Sequence, residues 1–421
     1  MSTKRDKKVV LRFVAMSDVH TGQTTDVESV RFGRAVNAAY DYAASQEYPA
    51  LDAILVAGDM TNHGYESEMI AFKEDVDTFV RDTTRPLLVM GNHEYFVETG
   101  KAVSDRWERI MKQNMNTHEV INGYHFIGVS LTTYMGYTDQ VEWLEAELQK
   151  AAEDAPEKPI FVQQHYHVTG TVYGSDLWGT PCLLNVLEKY PQVIDFSGHS
   201  HYPMNDPRSI WQGSFTALGC GTLSYFELEP GMIYGSIPPK ATNAFQFYIV
   251  EVHEDHSVTI KLYDGISEQF FDIEYHIAPP FVPATFSYTN ARAEKADKPS
   301  FAEGANIVVE SVTDGKVTLT IPQAIDGECI HSYRFDFYKE GSIATTASIW
   351  SEFYFVDMPK TLTQEFTELT PATEYTVTVT AIDSWGKECE TPLRVEFTAV
   401  CKAHRNILQN NTSKVERSRV S

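Results

Sequence analysis

The chain has 421 residues, too many for one ordinary domain, and its 43% apolar and 12% aromatic content can bury a sizeable core. With 58 acidic residues against 34 basic ones it carries a formal charge of −24, so its surface repels polyphosphate backbones and anionic membranes. A nucleic-acid polymer is therefore not an expected partner, and the lack of any 18-residue apolar run excludes a membrane-spanning helix.

In chain order, the first segment is "MSTKRDKKVVLRFVAMSDVH". It starts basic and turns apolar like a signal peptide, but Arg12 interrupts the apolar stretch, which runs straight into Asp18 and His20. No cleaved signal is expected, and a cytoplasmic location is expected over an extracellular one. "VVLRFVAMSD", "DAILVAGD", "RPLLVMGN", "YHFIGVS", "KPIFVQQH" and "QVIDFSGH" read as strands, several nearly continuous in apolar residues, as in sheets covered on both faces. Helical periodicity falls between them at 28–45, 66–82, 100–115 and 139–153; the last has Thr138 or Asp139 as its N-cap and an apolar face of Val141, Trp143, Leu144 and Leu148. After about residue 240 the pattern turns all-β, with a hairpin in "AFQFYIVEVHEDHSVTIKLYDG". Residues 1–275 are thus expected to form one α/β domain. Pro279, Pro280, Pro283 and Pro299 mark 276–304 as a connection. Residues 305–400 alternate as strands without a helix, and 401–421 read as a polar tail. Five cysteines (Cys182, Cys220, Cys329, Cys389, Cys401) without metal spacing suit a reducing compartment; whether Cys329 and Cys389 pair stays open.

One device recurs along the first domain: an apolar strand ends in a turn bearing metal-type donors. "SDVH" carries Asp18 and His20, "GDMTNHG" Asp59, "GNHE" Asn92 and His93, "VQQH" His165, and "GHSH" His199 and His201. In sheets of this kind the carboxyl ends of strands are where ligands collect, so five separate turns can converge on one crevice. Gly58, Gly91 and Gly198 remove side chains where backbone must pass close to bound groups. Leaving His93 aside, two carboxylates, one carboxamide and four imidazoles suit Mn, Fe, Zn or Co rather than Mg or Ca. Seven donors are too many for one tetrahedral ion and about right for two ions sharing a carboxylate.

The order Asp-x-His, Gly-Asp, Gly-Asn-His-Glu, His, Gly-His-x-His over residues 10–265 resembles the calcineurin-like metallophosphoesterase superfamily. The resemblance implies a four-layer α/β/β/α sandwich with a dinuclear centre of Mn, Fe or Zn. It implies one ion held by Asp18, His20, Asp59 and His201, a second by Asp59, Asn92, His165 and His199, and His93 beside the phosphorus, stabilising charge or protonating the leaving oxygen. Beyond the linker, "LTPATEYTVTVTAIDSWG" (369–386) resembles the E–F corner and F strand of a fibronectin type III module, an all-β immunoglobulin-like sandwich. That likeness implies that the Tyr375 hydroxyl bonds backbone upstream and that Val377, Val379 and Ala381 point inward.

Departures narrow the branch. Phosphoprotein phosphatases of the superfamily carry phosphate-binding arginines where this chain has His63 and Phe96. Purple acid phosphatases place a tyrosine where this chain has Asn62, so no charge-transfer colour is expected. The motifs are most similar to class III cyclic-nucleotide and related small-phosphodiester hydrolases. The expected function is hydrolysis of a small phosphodiester by metal-bound hydroxide, with a phosphomonoesterase or nucleotidase as the alternative. A further alternative is a binding or scaffold protein whose fibronectin-like module takes a protein or glycan partner. Tyr95, His167 and Tyr202 are the expected substrate contacts, with Tyr173 and Trp178 as further candidates for an aromatic wall. Deleting residues 300–421 is expected to leave small-substrate activity largely intact.

Overall fold

A computed structural model describes residues 7–22, 26–134, 136–137, 140–325 and 328–400. The capping residues Thr138 and Asp139, the tail 401–421 and most of the first basic cluster lie outside the described residues.

The first part of the chain is built on two six-stranded sheets. One has the order Gln269–Ile277, Val258–Asp264, Gln246–His253, Val9–Met16, Ala53–Val56, Arg85–Leu88. The other runs Ile210–Gln212, Thr216–Gly219, Val193–Ser197, Ile160–Gln163, Tyr124–Gly128, Thr117–Ile121. Val9–Met16 pairs parallel with Ala53–Val56, and that strand with Arg85–Leu88, as the intervening helices require. The strands from Val193, Ile160 and Tyr124 form the parallel centre of the other sheet.

Alternation along the first strand shows how the layers form. Leu11, Phe13 and Ala15 face the second sheet, where the Phe13 ring meets those of Phe126, Phe161 and Phe196 at 5.2, 4.7 and 5.8 Å. Val14 and Met16 face outward into a core shared with Phe32, Val36, Phe72 and Trp107 of the covering helices. Helix Val141–Asp154 covers the second sheet through Leu144 and Leu148, completing four layers, α/β/β/α. Arg12, which broke the apolar run, is buried in the first strand and bonds Glu251 through Nε and Nη2 at 2.8 and 2.7 Å.

The C-terminal region is a sandwich of three strands (Val308–Thr313, Lys316–Pro322, Thr361–Phe366) on four (Ser342–Trp350, Ile330–Lys339, Glu374–Asp383, Leu393–Thr398). Val377, Val379 and Ala381 are buried between the sheets. The Tyr375 hydroxyl accepts the Thr370 amide at 3.1 Å, pinning the corner that leads into its strand.

The sandwich packs directly against the α/β part. Trp350, Phe353, Tyr354 and Phe355 share a buried cluster with Tyr173, Tyr202, Phe226 and Leu228 of the α/β part. Polar bonds cross the same seam. Asn205 donates to the Phe353 carbonyl at 2.8 Å, Gln246 to that of Tyr354 at 2.9 Å, and the Ser384 hydroxyl to Asp206 at 2.9 Å.

Candidate metal centre

Five turns at the carboxyl ends of strands bring the expected donors together. Asp18, His20 and His201 form one cluster of converging ligand atoms, and Asp59, His165 and His199 another. A third, His20, Asp59 and His93, places Asp59 between them. Nε2 of His20 and Nε2 of His201 lie 3.0 Å apart, and Asp18 Oδ1 is 3.3 Å from the latter. Across the centre, His165 Nε2 lies 2.8 Å from Asn92 Oδ1 and 3.2 Å from Asp59 Oδ2.

The backbone of these turns is unusual. Asp18, His20, Asp59, His199 and His201 all have left-handed backbone, with φ of 55°, 55°, 50°, 71° and 58°. For residues with a Cβ this costs roughly 1 kcal/mol or more each, and such strain clusters at functional sites. The expected glycines are explained by direct crowding. A Cβ on Gly91 would lie 2.2 Å from Asp59 Oδ1, one on Gly58 2.4 Å from His165 Nδ1, and one on Gly198 2.5 Å from Asp18 Oδ2.

The side chains are aimed by partners behind them. His165 Nδ1 donates to the Ala57 carbonyl at 2.8 Å and His201 Nδ1 to that of Tyr225 at 2.9 Å, which turns both Nε2 atoms inward. The His199 amide donates to Asp18 Oδ2 at 2.9 Å, while the buried Asp18 Oδ1 faces His201 Nε2. The His93 amide donates to Asp59 Oδ1 at 2.9 Å, and His93 Nδ1 to the Asn62 carbonyl at 2.6 Å. Burial works against ionisation, yet His201 holds the Asp18 carboxyl down to about 2. Asp59 is likewise pulled well below the usual carboxylate range by His165 despite its burial. His20 is pushed down to about 3 by burial and by the neighbouring His201, and His199 to about 3 by burial and His165. Two low-lying carboxylates and converging imidazole nitrogens fit divalent cations.

The three expected substrate contacts are all buried. His167 is buried with its ring nitrogens 2.8 Å from the Ser197 and Ser200 hydroxyls, so it supports the 198–201 turn from below. Tyr95 lies in the core with its hydroxyl donating to the Leu131 carbonyl at 2.6 Å. Tyr202 is buried in the seam, its ring 4.5 Å from that of Tyr173. The side chains that do border the centre include Phe96, whose ring centroid is 3.9 Å from His93, Tyr166, 4.3 Å from His199, and Trp178, 5.6 Å from His199.

Sequence reasoning also missed Glu94 and Tyr137. Fully buried, Glu94 accepts from the Thr61 amide and hydroxyl at 2.9 and 2.8 Å and from the Gly91 amide at 2.7 Å, joining the Asp59 and Asn92 turns. Burial and the nearby Asp59 push its carboxyl up to about 7. The signal was present in "GNHE", read only as far as its histidine. The Tyr137 hydroxyl accepts the His165 and Tyr166 amides at 2.8 and 2.9 Å, which no local pattern announces.

A two-layer β core with covering helices carries donors of this kind at its strand ends. Residues 11–203 match the calcineurin-like phosphoesterase family, and this part of the chain is a calcineurin-like metallophosphoesterase domain, of a family that hydrolyses phosphoesters. No curated relative matches the chain by sequence. Among solved structures, a purple acid phosphatase from yellow lupin (Lupinus luteus) seeds is similar at a TM-score of 0.46 and 15% identity, over 65% of this chain and 54% of that one. The chain thus spans about half the length of that enzyme. PhoD is similar at 0.38 and 8% identity, over 65% of this chain and 69% of that one. The fn3 domain of the human collagen alpha-1(XX) chain is similar at 0.19 and 15% identity, over 29% of this chain and 96% of that one. Among the described residues, no helix is long and apolar enough to cross a membrane.

Proposed function

We propose that this chain hydrolyses a small phosphodiester at a dinuclear metal centre, with Asp18, His20, Asp59 and His201 holding one cation and Asp59, Asn92, His165 and His199 the other. The observation that carries the reading is the pair of imidazole Nε2 atoms 3.0 Å apart, with a buried Asp18 oxygen 3.3 Å from one of them. When bound, two cations supply the Lewis acidity that makes a shared water acidic and neutralises phosphate oxygens during displacement. The chain's own part is orientation and proton management. Asp59 lies between the two ligand clusters, its Oδ1 fixed by the His93 amide. With Nδ1 committed to the Asn62 carbonyl, His93 directs Nε2 toward the substrate and can hold the proton that a poor alkoxide leaving group needs.

A diester is favoured over a monoester by the rim. Beside the candidate ligands, the neutral ring of Phe96 borders His93, and those of Tyr166 and Trp178 border His199. Such a rim suits the single negative charge of a diester better than the double charge of a monoester.

The test is metal analysis of the purified full-length chain together with turnover of bis-p-nitrophenyl phosphate and p-nitrophenyl phosphate in Mn, Zn and Fe. About two ions per chain and faster diester cleavage are expected. Asp59→Asn is expected to lower both metal content and turnover. His93→Ala is expected to keep the metal and lose on the order of 100-fold in kcat. Full metal occupancy with no turnover of either ester would sink the reading.

A further inference from the structure

Three aromatic or imidazole rings form a continuous face on one side of the centre. The His93 ring lies under that of Phe96 with centroids 3.9 Å apart and planes inclined by 35°. The Phe96 ring in turn meets that of Tyr134 at 5.4 Å and 38°. Both outer rings stay open to solvent, Phe96 at 43% and Tyr134 at 42%, with Val97 beside them also exposed. Clustered exposed apolar side chains rimmed by polar groups mark ligand sites more often than scattered ones do. Phe96 contributes to fixing the His93 ring, but that role uses only one face of it.

Resting on the phosphoesterase reading above, we propose that the Phe96–Tyr134 face is the subsite for the leaving group, and that this group carries a flat, uncharged aromatic ring. The geometry ties the subsite to one end of the substrate. His93 is the residue positioned to protonate the departing oxygen, so whatever that oxygen bears emerges beside His93 and meets Phe96 first. An offset or tilted stack on Phe96, with Tyr134 at its edge, holds a planar ring without any hydrogen-bond code. A charged or polyhydroxylated leaving group would leave this apolar face uncovered. The ring can belong to an aryl ester or to the base of a nucleotide; both present the same stacking chemistry.

Binding of singly charged methylphosphonate esters to the Mn-loaded full chain, followed by calorimetry, tests the proposal without relying on turnover, because their one ester oxygen carries the only group able to leave. The methyl, phenyl and 5′-adenosyl esters are compared. At least one aromatic ester is expected to bind about tenfold tighter than the methyl ester, and which one does so distinguishes a directly attached ring from one carried on a sugar. In Phe96→Ala the ratio is expected to fall close to one, and in Phe96→Tyr to stay near the wild-type value, at unchanged metal content. Equal binding of all three esters by the wild type, or a ratio that survives Phe96→Ala, overturns the subsite and leaves the phosphoesterase reading standing. Failure of the methyl ester itself to bind the metal-loaded chain overturns that reading, and the subsite with it.

Discussion

At the scale of single residues, the centre depends on groups that are absent as much as on those present. Gly91 has no Cβ because Asp59 Oδ1 occupies the space 2.2 Å from where one would stand. The blocking atom belongs to a carboxylate already fixed by the His93 amide, so it cannot step aside without releasing that bond. Gly91→Ala is therefore expected to lower metal affinity by roughly 10- to 100-fold, the usual effect of disturbing the support behind a ligand. Equilibrium dialysis against Mn checks this, and unchanged affinity would refute it. "GNHE" shows why adjacent residues have unrelated tasks. Asn92 faces His165, His93 bonds the Asn62 carbonyl, and Glu94 turns into the protein to tie two turns together.

Among the elements, strand Val193–Ser197 carries a carboxylate that the site does not use. Asp195 is fully buried; Oδ2 accepts from Gln164 at 3.0 Å and Oδ1 has no partner among the described residues. Burial raises its carboxyl to about 7 from 3.8. Below about pH 4 folded and unfolded chains both hold this proton, and the group has no effect on stability. Between about pH 4 and 7 the unfolded chain releases it while the folded chain keeps it, so stability falls as pH rises and then levels off. Three units at about 1.4 kcal/mol each make this loss up to about 4 kcal/mol. Asp195→Asn keeps the bond from Gln164 and removes the proton. Its stability relative to wild type is expected to climb from pH 4 to 7 and plateau above, measured by urea unfolding. A difference that ignores pH would show that Asp195 is ionised in the folded protein.

For the whole molecule, the seam between the α/β part and the β-sandwich reaches the metal centre. Phe226 is buried against Tyr354 and Phe355, with ring centroids 5.8 and 6.4 Å apart, and the carbonyl of its neighbour Tyr225 orients His201. On a second path, His331 of the sandwich lies 2.9 Å from the Tyr173 hydroxyl, and Tyr173 packs on Tyr202, next to His201. Truncation after residue 299 is thus expected to expose an apolar face, aggregate, and lose metal from the His201 side. The milder Phe353→Ala is expected to destabilise the full chain by about 3–5 kcal/mol, read by urea unfolding. A truncated chain that stays monodisperse with full metal content would disprove the coupling.

What the sequence determined by itself was local in character. Strand periodicity, the glycine-bearing turns that end the strands, and the residue types at those turns are all written in stretches of ten residues or fewer. For this reason Asp18, His20, Asp59, Asn92, His165, His199 and His201 could be read as candidate donors, and the corner at Tyr375 was legible as a corner. Only the tertiary structure decided which way neighbouring side chains face. His167 looked equivalent to His165 two residues earlier, yet the hydroxyls of Ser197 and Ser200 hold it below the site. Tyr95 and Tyr202 were close to ligands in the chain and buried in the fold, whereas Phe96 and Trp178 were left at the rim. The fate of the C-terminal sandwich was equally hidden, because a proline-rich connection reads the same whether the module it carries swings free or packs. Burial and contact belong to pairs of surfaces far apart in sequence, and no single stretch specifies both members of such a pair.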